Sequence, residues 1–274
     1  MVNLRSRVTR LGVLDIGSNT IHMLIVDAAP GARPDPEAST KSTVRLMQYV
    51  KDDGSIKKSG IEAILTAVDQ CMELAEEYDI TQLLAMATSA IKEAPNSNKI
   101  LRKIEERIGQ SVTVLSGTDE ARLTFLAARR WYGWDAGRLL MLDIGGSSLE
   151  VAMGSDEEPT VALSAAAGAC RITREYLPEG TASVDELEVV RKKVRRILEP
   201  MVDAFPKSKH PAHAVGTSKT FRSLARLAGA VLRQSGREDT WIMTREQLED
   251  WIPRLAAIEP EQRVALPGIT PERT

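Results

Sequence analysis

The feature that most constrains this 274-residue chain is a motif it carries twice. Leu139-Leu140-Met141-Leu142 runs into Asp143-Ile144-Gly145-Gly146-Ser147-Ser148, and the alternating Leu149-Glu150-Val151-Ala152-Met153 leaves it. That order reads as strand, tight turn, strand. Arg10 through His22 aligns without a gap on Arg138 through Glu150, so that Asp15 matches Asp143, Gly17 matches Gly145, Thr20 matches Ser148 and His22 matches Glu150. Internal repetition restricts a fold more than any local propensity does. Two copies are too few for a solenoid. They indicate a duplicated domain with two phosphate-gripping hairpins facing each other across a cleft. Unrelated hairpins would share turn residue types, but not Asp-Ile-Gly at matched positions.

The residue types in these turns suggest their chemistry. Backbone N–H groups at Gly17-Ser18-Asn19-Thr20 and at Gly145-Gly146-Ser147-Ser148 can face a phosphate. Asp143 ends one strand and Glu150 lies on the next, and two carboxylates beside such a turn suit a hard cation such as Mg²⁺. The net charge of −2 provides no global basic field for nucleic acid, so an anion site must be locally basic. Aromatic content of 4% leaves little surface for stacking a base. Cys71 and Cys170 do not form a disulfide framework and suit a reducing, cytoplasmic setting. The apolar run after Arg5, Arg7 and Arg10 is interrupted by Asp15, so it is not a signal peptide, and no run is long enough to span a membrane.

Along the chain, the patterns predict a hairpin at Leu11 to Ala28, a loop at Pro30 to Thr40, and a strand at Thr43 to Val50 carrying Arg45. A helix is expected from Ser59 to Tyr78, a strand from Thr81 to Ala87, and a helix capped by Asn96 or Asn98 and stopped by Gly109. A strand at Ser111 to Leu115 leads to Ser116-Gly117-Thr118-Asp119-Glu120, which opens a helix with Thr118 as its cap. Acids in that first turn complement the helix dipole, an ordinary structural role for both. Gly133 to Gly137 reads as the linker between halves. In the second half a strand at Thr160 to Leu163 and a loop at Gly168 to Arg171 precede a helix to about Ala204, opened by the capping box Ser183-Val184-Asp185-Glu186. The basic residues Arg191, Lys192, Lys193, Arg195 and Arg196 are either a solvated face or a docking track. A strand at Ala212 to Val215, then Gly216-Thr217-Ser218-Lys219-Thr220 opening a helix, makes an anion site. The spacing is not that of a P-loop, and neither HExxH nor GxGxxG occurs.

Five motifs occur in order: Asp15-Ile-Gly-Ser-Asn-Thr, Thr88-Ser-Ala with Asn96, Ser116-Gly-Thr-Asp-Glu-Ala-Arg, Asp143-Ile-Gly-Gly-Ser-Ser-Leu-Glu and Gly216-Thr-Ser-Lys-Thr. Together they resemble the exopolyphosphatase and guanosine pentaphosphate phosphohydrolase (Ppx/GppA) family, of the actin, sugar-kinase and heat-shock ATPase superfamily, over nearly the whole chain. The resemblance implies an α/β fold of two ribonuclease-H-like domains flanking a cleft, residues 1–130 and 131–274. It implies Mg²⁺-dependent release of terminal phosphate from polyphosphate or a stringent-response nucleotide, with a homodimer allowed. It places the catalytic base at Glu120 and the metal at Asp143 and Glu150. Phosphate contacts fall at Asp15, Gly17, Ser18, Asn19, Thr20, Gly145, Gly146, Ser147 and Ser148. Arg45, Lys92, Arg171, Gly216, Thr217 and Lys219 are weaker candidates for the rest of the anion.

The chain departs from the family pattern in several places. Ser147 replaces a third glycine, Leu149 a threonine, Lys92 an arginine, and Ser218-Lys219 a glycine pair. The family also continues past Pro271 to Thr274 into further elements. Two other classes compete: an ATP-dependent kinase of the same superfamily, which needs an adenosine pocket at Gly216 to Thr220, and a non-catalytic binder, which has no need of Glu120, Asp143 and Glu150 together.

Overall fold

Alternation of side chains across a strand sorts the first hairpin into two faces. In β1 (Thr9–Ile16) and β2 (Thr20–Ala28), Leu14, Ile16, Ile21, Met23 and Ile25 are fully buried, whereas Asp15 and His22 take the opposite face. The structure, a computed structural model, describes residues 8–29, 35–206, 210–234 and 239–270. Arg5, Arg7, residues 30–34 of the expected loop and residues 271–274 lie outside the described residues.

β3 (Pro36–Thr43) pairs antiparallel with β2. After α1 (Lys58–Glu77), β4 (Gln82–Ala87) pairs parallel with β1. The short α2 (Ser89–Lys92), then α3 (Ser97–Ile108), lead to β5 (Thr113–Val114), giving the order β3-β2-β1-β4-β5. Ile64, Val68 and Cys71 of α1 and Ile100 and Ile104 of α3 close the aliphatic core over Leu14 and Ile16. Burial there pushes the Cys71 thiol up to about 11, so it stays protonated.

Three local expectations are corrected in this unit. Residues 36–40 form strand rather than loop, and the strand expected at Thr43 to Val50 gives way after Thr43 to a 3₁₀ turn, Leu46–Tyr49. The reason is Arg45, whose φ of 50° is left-handed and cannot continue a strand. Asn96 stands at the cap position of α3 without capping it; its side chain accepts from the Ile56 N–H at 3.0 Å and donates to the Ile56 carbonyl at 2.9 Å.

The compact units divide between Ser116 and Gly117. The second begins with α4 (Gly117–Tyr132), so Thr118 is the second residue of the helix rather than its cap. There follow β6 (Leu139–Ile144), β7 (Leu149–Gly154), β8 (Val161–Ala165), α5 (Ala169–Tyr176), α6 (Val184–Asp203), β9 (His213–Gly216) and α7 (Lys219–Leu227). A separate ribbon of β10 (Val231–Gln234) and β11 (Asp239–Ile242) precedes α8 (Arg245–Ala257). The main sheet runs β8-β7-β6-β9, with the same pairing senses as β3-β2-β1-β4. The repeat in the sequence is thus a repeat in topology.

Packing assigns α4 to this second sheet. Its Ala121, Phe125 and Ala128 cover Leu139 and Met141 of β6 and Ala152 of β7, although the boundary expected from sequence, 130/131, places most of the helix with the first domain. Arg129, 1% exposed, fastens the end of α4. One Nη donates to the carbonyls of Gly137 at 2.5 Å and Ser155 at 3.2 Å, and the other to that of Gly133. The opposite face of the sheet packs Leu149 and Val151 against Met201 of α6. The capping box of α6 forms as expected from Ser183 and Glu186. The segment expected to be a loop at Gly168 to Arg171 instead starts α5.

Candidate active site

Strand parity decides where the acidic pair points. Leu139, Met141 and Asp143 share one face of β6, and Ala152 and Glu150 share the corresponding face of β7, the face that α4 covers. Asp143 and Glu150 are directly paired across the hairpin, and Ser164 of β8 is paired with Glu150. Each carboxylate is held by a hydroxyl. Thr217, just after β9, donates to Asp143 Oδ2 at 2.7 Å, and Ser164 donates to Glu150 Oε1 at 2.8 Å. Burial raises the pKa of both acids. The Thr217 bond opposes this at Asp143; at Glu150 the Ser148 and Ser164 bonds oppose it, while the Asp143 charge adds to it.

Helix α4 arrives on this pair through a glycine. A Cβ on Gly117 would stand 2.4 Å from both Cβ and Oγ of Ser164, the residue that holds Glu150. The helix that carries Glu120 therefore starts in contact with the acidic row. Glu120 is half-buried and Asp119 exposed. The contact between Ser164 and Gly117 was missed in the sequence, where Ser164 falls just past the strand expected at Thr160 to Leu163; that strand in fact runs to Ala165.

The Gly145–Ser148 turn closes with a bond from Gly145 N–H to Ser148 O at 3.0 Å. Its other carbonyls are taken up by the start of α5: Ala169 N–H reaches Gly145 O at 2.9 Å, Arg171 N–H reaches Gly146 O at 3.0 Å, and Gly168 N–H reaches Ser147 O at 3.1 Å. Arg171 Nε also donates to Ser147 O at 2.9 Å, which fixes this candidate cation at the turn. Gly168 lies so close that a Cβ would meet the turn backbone at 2.4 Å.

The first turn is built alike. Gly17 N–H reaches Thr20 O at 3.0 Å, Val44 and Arg45 N–H reach Asn19 O at 2.8 and 3.0 Å, and Leu46 N–H reaches Ser18 O at 2.8 Å. In both hairpins the segment after the third strand engages turn carbonyls. The N–H groups of Ser18, Gly146, Ser147 and Ser148 donate in none of these bonds, which leaves them suited to an anion. The left-handed Arg45 is held at this turn by those contacts. Asp15 lies one row from the turn, its pKa raised by lost hydration against the opposing charge of Lys41.

The remaining candidates sort as follows. Lys92 is exposed at the end of α2. Gly216 is covered by the Phe221 ring, which a Cβ at this position would meet at 2.4 Å. Thr217, a candidate for contact with the anion, donates its hydroxyl to Asp143 Oδ2 in this structure. Ser218 caps α7 by accepting from Phe221 N–H, and Thr220 donates to Ile144 O at 2.9 Å. Lys219 is the first residue of α7. Ser218 thus takes a capping role where the family commonly has glycine.

The donor set at Asp143 and Glu150 fits Mg²⁺. Both are hard oxygen ligands, desolvated and oriented by hydroxyls, and Mg²⁺ commonly takes one or two carboxylates with the remaining positions left to water and phosphate. Among the described residues no three His, Cys, Asp or Glu side chains converge, so the pair would act with such outside ligands.

Two α/β units of matching topology with phosphate-type turns define an actin-like ATPase fold. The chain belongs to the Ppx/GppA phosphatase family, whose model matches residues 24–274. Exopolyphosphatase 1 of Mycobacterium tuberculosis is 43% identical over 265 residues, covering 96% of this chain and 77% of that protein. Its Mycobacterium leprae counterpart is 42% identical over 264 residues, covering 96% and 78%. In structure the chain is similar to an exopolyphosphatase of Cytophaga hutchinsonii, with a TM-score of 0.83, 24% identity, and coverage of 97% of this chain and 85% of that one. The Aquifex aeolicus PPX-GPPA enzyme follows with a TM-score of 0.77, 22% identity, and coverage of 97% and 87%.

Proposed function

We propose that this chain is an exopolyphosphatase, a hydrolase that releases terminal orthophosphate from inorganic polyphosphate by cleaving phosphoanhydride bonds. The observation that carries this reading is the acidic row Asp143–Glu150–Ser164 on the face covered by α4, in a chain 43% identical to mycobacterial exopolyphosphatases.

Phosphoryl transfer to water asks a protein chiefly for positioning and charge neutralisation. Asp143 and Glu150 would hold Mg²⁺, which when bound neutralises phosphate charge. Glu120, at the start of α4, acts as general base on the attacking water. The turn N–H groups at Gly17–Thr20 and Gly145–Ser148 hold phosphate oxygens, and Arg45 and Arg171, each anchored at one turn, grip the rest of the polyanion. Asp15, Lys92 and Lys219 complete the proposed set. Gly216 and Thr217 belong to the same set, and Thr217 also positions Asp143. No helix among the described residues is long and apolar enough to cross a membrane.

A kinase reading is disfavoured by the region it needs. Phe221 covers Gly216, and Thr217, Ser218 and Thr220 direct their hydroxyls to internal partners. The test is phosphate release, with Mg²⁺ and with chelator, from long polyphosphate, short polyphosphate, guanosine pentaphosphate and ATP side by side. Polyphosphate should be preferred, with affinity falling as salt rises. A preference for guanosine pentaphosphate would reassign the chain to the nucleotide branch of the family, and no release from any of the four would leave it a binder.

A further inference from the structure

Helix α6 presents two unlike sides. On the side toward the second sheet, Met201 is buried, and Ile197 and Leu198 pack against the cluster it forms with Leu149 and Val151. On the outer side, Arg191-Lys192-Lys193-Val194-Arg195-Arg196 places five cations in six residues with no acid among them. Arg191 donates to Glu188 at 2.8 Å. Lys192, Lys193, Arg195 and Arg196 are exposed, and among the described residues none of the four has a hydrogen bond or ion pair through its side chain. Acids are within helical reach. Glu188 lies four residues before Lys192, and Glu199 four residues after Arg195. Helices ordinarily form ion pairs at that spacing, yet among the described residues neither pair is made.

Helical spacing gathers these four charges. Lys192 and Arg196 are i,i+4 neighbours, and Lys192 with Arg195 and Lys193 with Arg196 are i,i+3 neighbours, with Cβ atoms about 5–6 Å apart. Like charges so placed disfavour the helix, and an anion lying across them relieves that repulsion. With an overall charge of −2, the field here is a local one. What the face lacks narrows the ligand. Residues 184–203 include no aromatic side chain, so single-stranded nucleic acid has no platform on which to stack. A membrane-surface helix buries its apolar face in the bilayer, and the apolar face of α6 is already covered by the sheet. A polymer of bare phosphates needs only closely spaced cations.

The cation face and the acidic pair stand on opposite sides of one sheet. Leu149 and Val151 turn toward α6, whereas Glu150 between them turns toward α4. The sheet and α6 itself, a helix about 10–12 Å across, lie between. Tripolyphosphate is too short to occupy both places, while a long chain can pass around the edge of the sheet.

We propose that Lys192, Lys193, Arg195 and Arg196 form a docking face for long-chain polyphosphate, separate from the catalytic site, which holds a long chain while its end is cut. This rests on the polyphosphatase reading and adds a chain-length preference to it.

Two triple variants test the proposal: Lys192→Gln, Lys193→Gln and Arg196→Gln on α6, and, as a charge-matched control, Lys99→Gln, Arg102→Gln and Lys103→Gln on the exposed side of α3. Glutamine keeps helix propensity, so both thermal midpoints should match wild type. Affinity for long polyphosphate is measured by calorimetry in chelator over a range of salt. Phosphate release is measured separately, with Mg²⁺, from long polyphosphate and from tripolyphosphate. The α6 variant should bind long polyphosphate roughly tenfold more weakly, and its slope of log affinity against log salt should be shallower by about 2, at about 0.7 for each cation removed. Its KM for long chains should rise in the same proportion with kcat unchanged, and its kinetics on tripolyphosphate should match wild type. The α3 variant should match wild type throughout. No phosphate release from wild type refutes the polyphosphatase reading, and the calorimetry in chelator still judges the docking face. Unaltered affinity for long polyphosphate in the α6 variant, an equal loss in the α3 variant, or an equal loss on tripolyphosphate overturns the proposal. So does a single-stranded DNA of matched charge that wild type binds as tightly as polyphosphate.

Discussion

Gly117→Ala is the substitution that best tests how α4 is coupled to the acidic pair. The added Cβ would lie 2.4 Å from the Cβ and Oγ of Ser164. Ordinary carbon contacts begin near ~3.5 Å, so helix or strand must yield by about 1 Å. The Ser164–Glu150 bond is 2.8 Å, and a displacement of that size takes it out of hydrogen-bond range. A lost hydrogen bond to a carboxylate is worth about 1.5–3 kcal/mol, and misplacement of a reacting group by about 1 Å costs on the order of 10²-fold in rate. Phosphate release should be titrated against Mg²⁺ for wild type, Gly117→Ala, Ser164→Gly and the double variant. Gly117→Ala should fall by about 10²-fold. Ser164→Gly gives up the hydrogen bond without adding bulk and should fall by roughly 10- to 10²-fold. Because Ser164→Gly also makes room, the double variant should be no worse than Ser164→Gly. If the double variant instead lost the product of both effects, the two residues would be acting independently and the steric argument would fail.

Arg45→Ala and Arg45→Gly remove the same guanidinium, and activity on polyphosphate should fall equally in both. Only glycine relieves the left-handed backbone, so Arg45→Gly should be the more stable by roughly 0.5–1 kcal/mol after its greater unfolded-state entropy is set against the relief; identical melting curves would refute the strain. Glu120→Gln should cut turnover by about 10²–10⁴ as expected for a general base while polyphosphate still binds, and Asp119→Asn should do far less, with single-turnover phosphate release as the measurement. Asp143→Asn should abolish Mg²⁺-dependent turnover and, in chelator, stabilise the protein at neutral pH. The sign follows from burial, which raises the folded pKa of Asp143: the folded state then binds more protons, so stability is retained below the ordinary carboxylate range and lost as pH rises through the raised value. The advantage of Asn should therefore shrink as pH is lowered, and a gap between the melting temperatures that widens toward acid pH would contradict it.

The hairpins were legible because their signal is local and repeated. Asp143 and Glu150 fall opposite one another as strand-turn-strand spacing requires, and the capping box at Ser183 needs only four residues to be seen. β3 was not legible, since Pro36-Glu37-Ala38-Ser39-Thr40-Lys41-Ser42-Thr43 has almost no apolar alternation. As the outer strand of its sheet it buries little, and Lys41 was overlooked with it. The start of α5 depends on Gly168 lying against a turn some 20 residues earlier, and no local pattern encodes that contact. The ties of Thr217 to Asp143 and of Ser164 to Glu150 were likewise hidden, because each joins partners 74 or 14 residues apart in sequence. The membership of α4 is the same kind of fact: its amphipathic pattern says that one face is buried, and only packing says against which sheet.

That helix has a consequence for how the protein opens. α4 is pinned at its start by Gly117 on Ser164 and at its end by Arg129 on the carbonyls of Gly133, Gly137 and Ser155. A segment held at both ends to one sheet unfolds with that sheet, as a single cooperative block. In amide hydrogen exchange, α4 and β6 should acquire deuterium together, out of step with β1 and β4. The chain passes from one unit to the other between Ser116 and Gly117, three residues before Glu120. The proposed base therefore rides on a helix fastened at both ends to the second sheet, and stays with that sheet through any fluctuation that spares it.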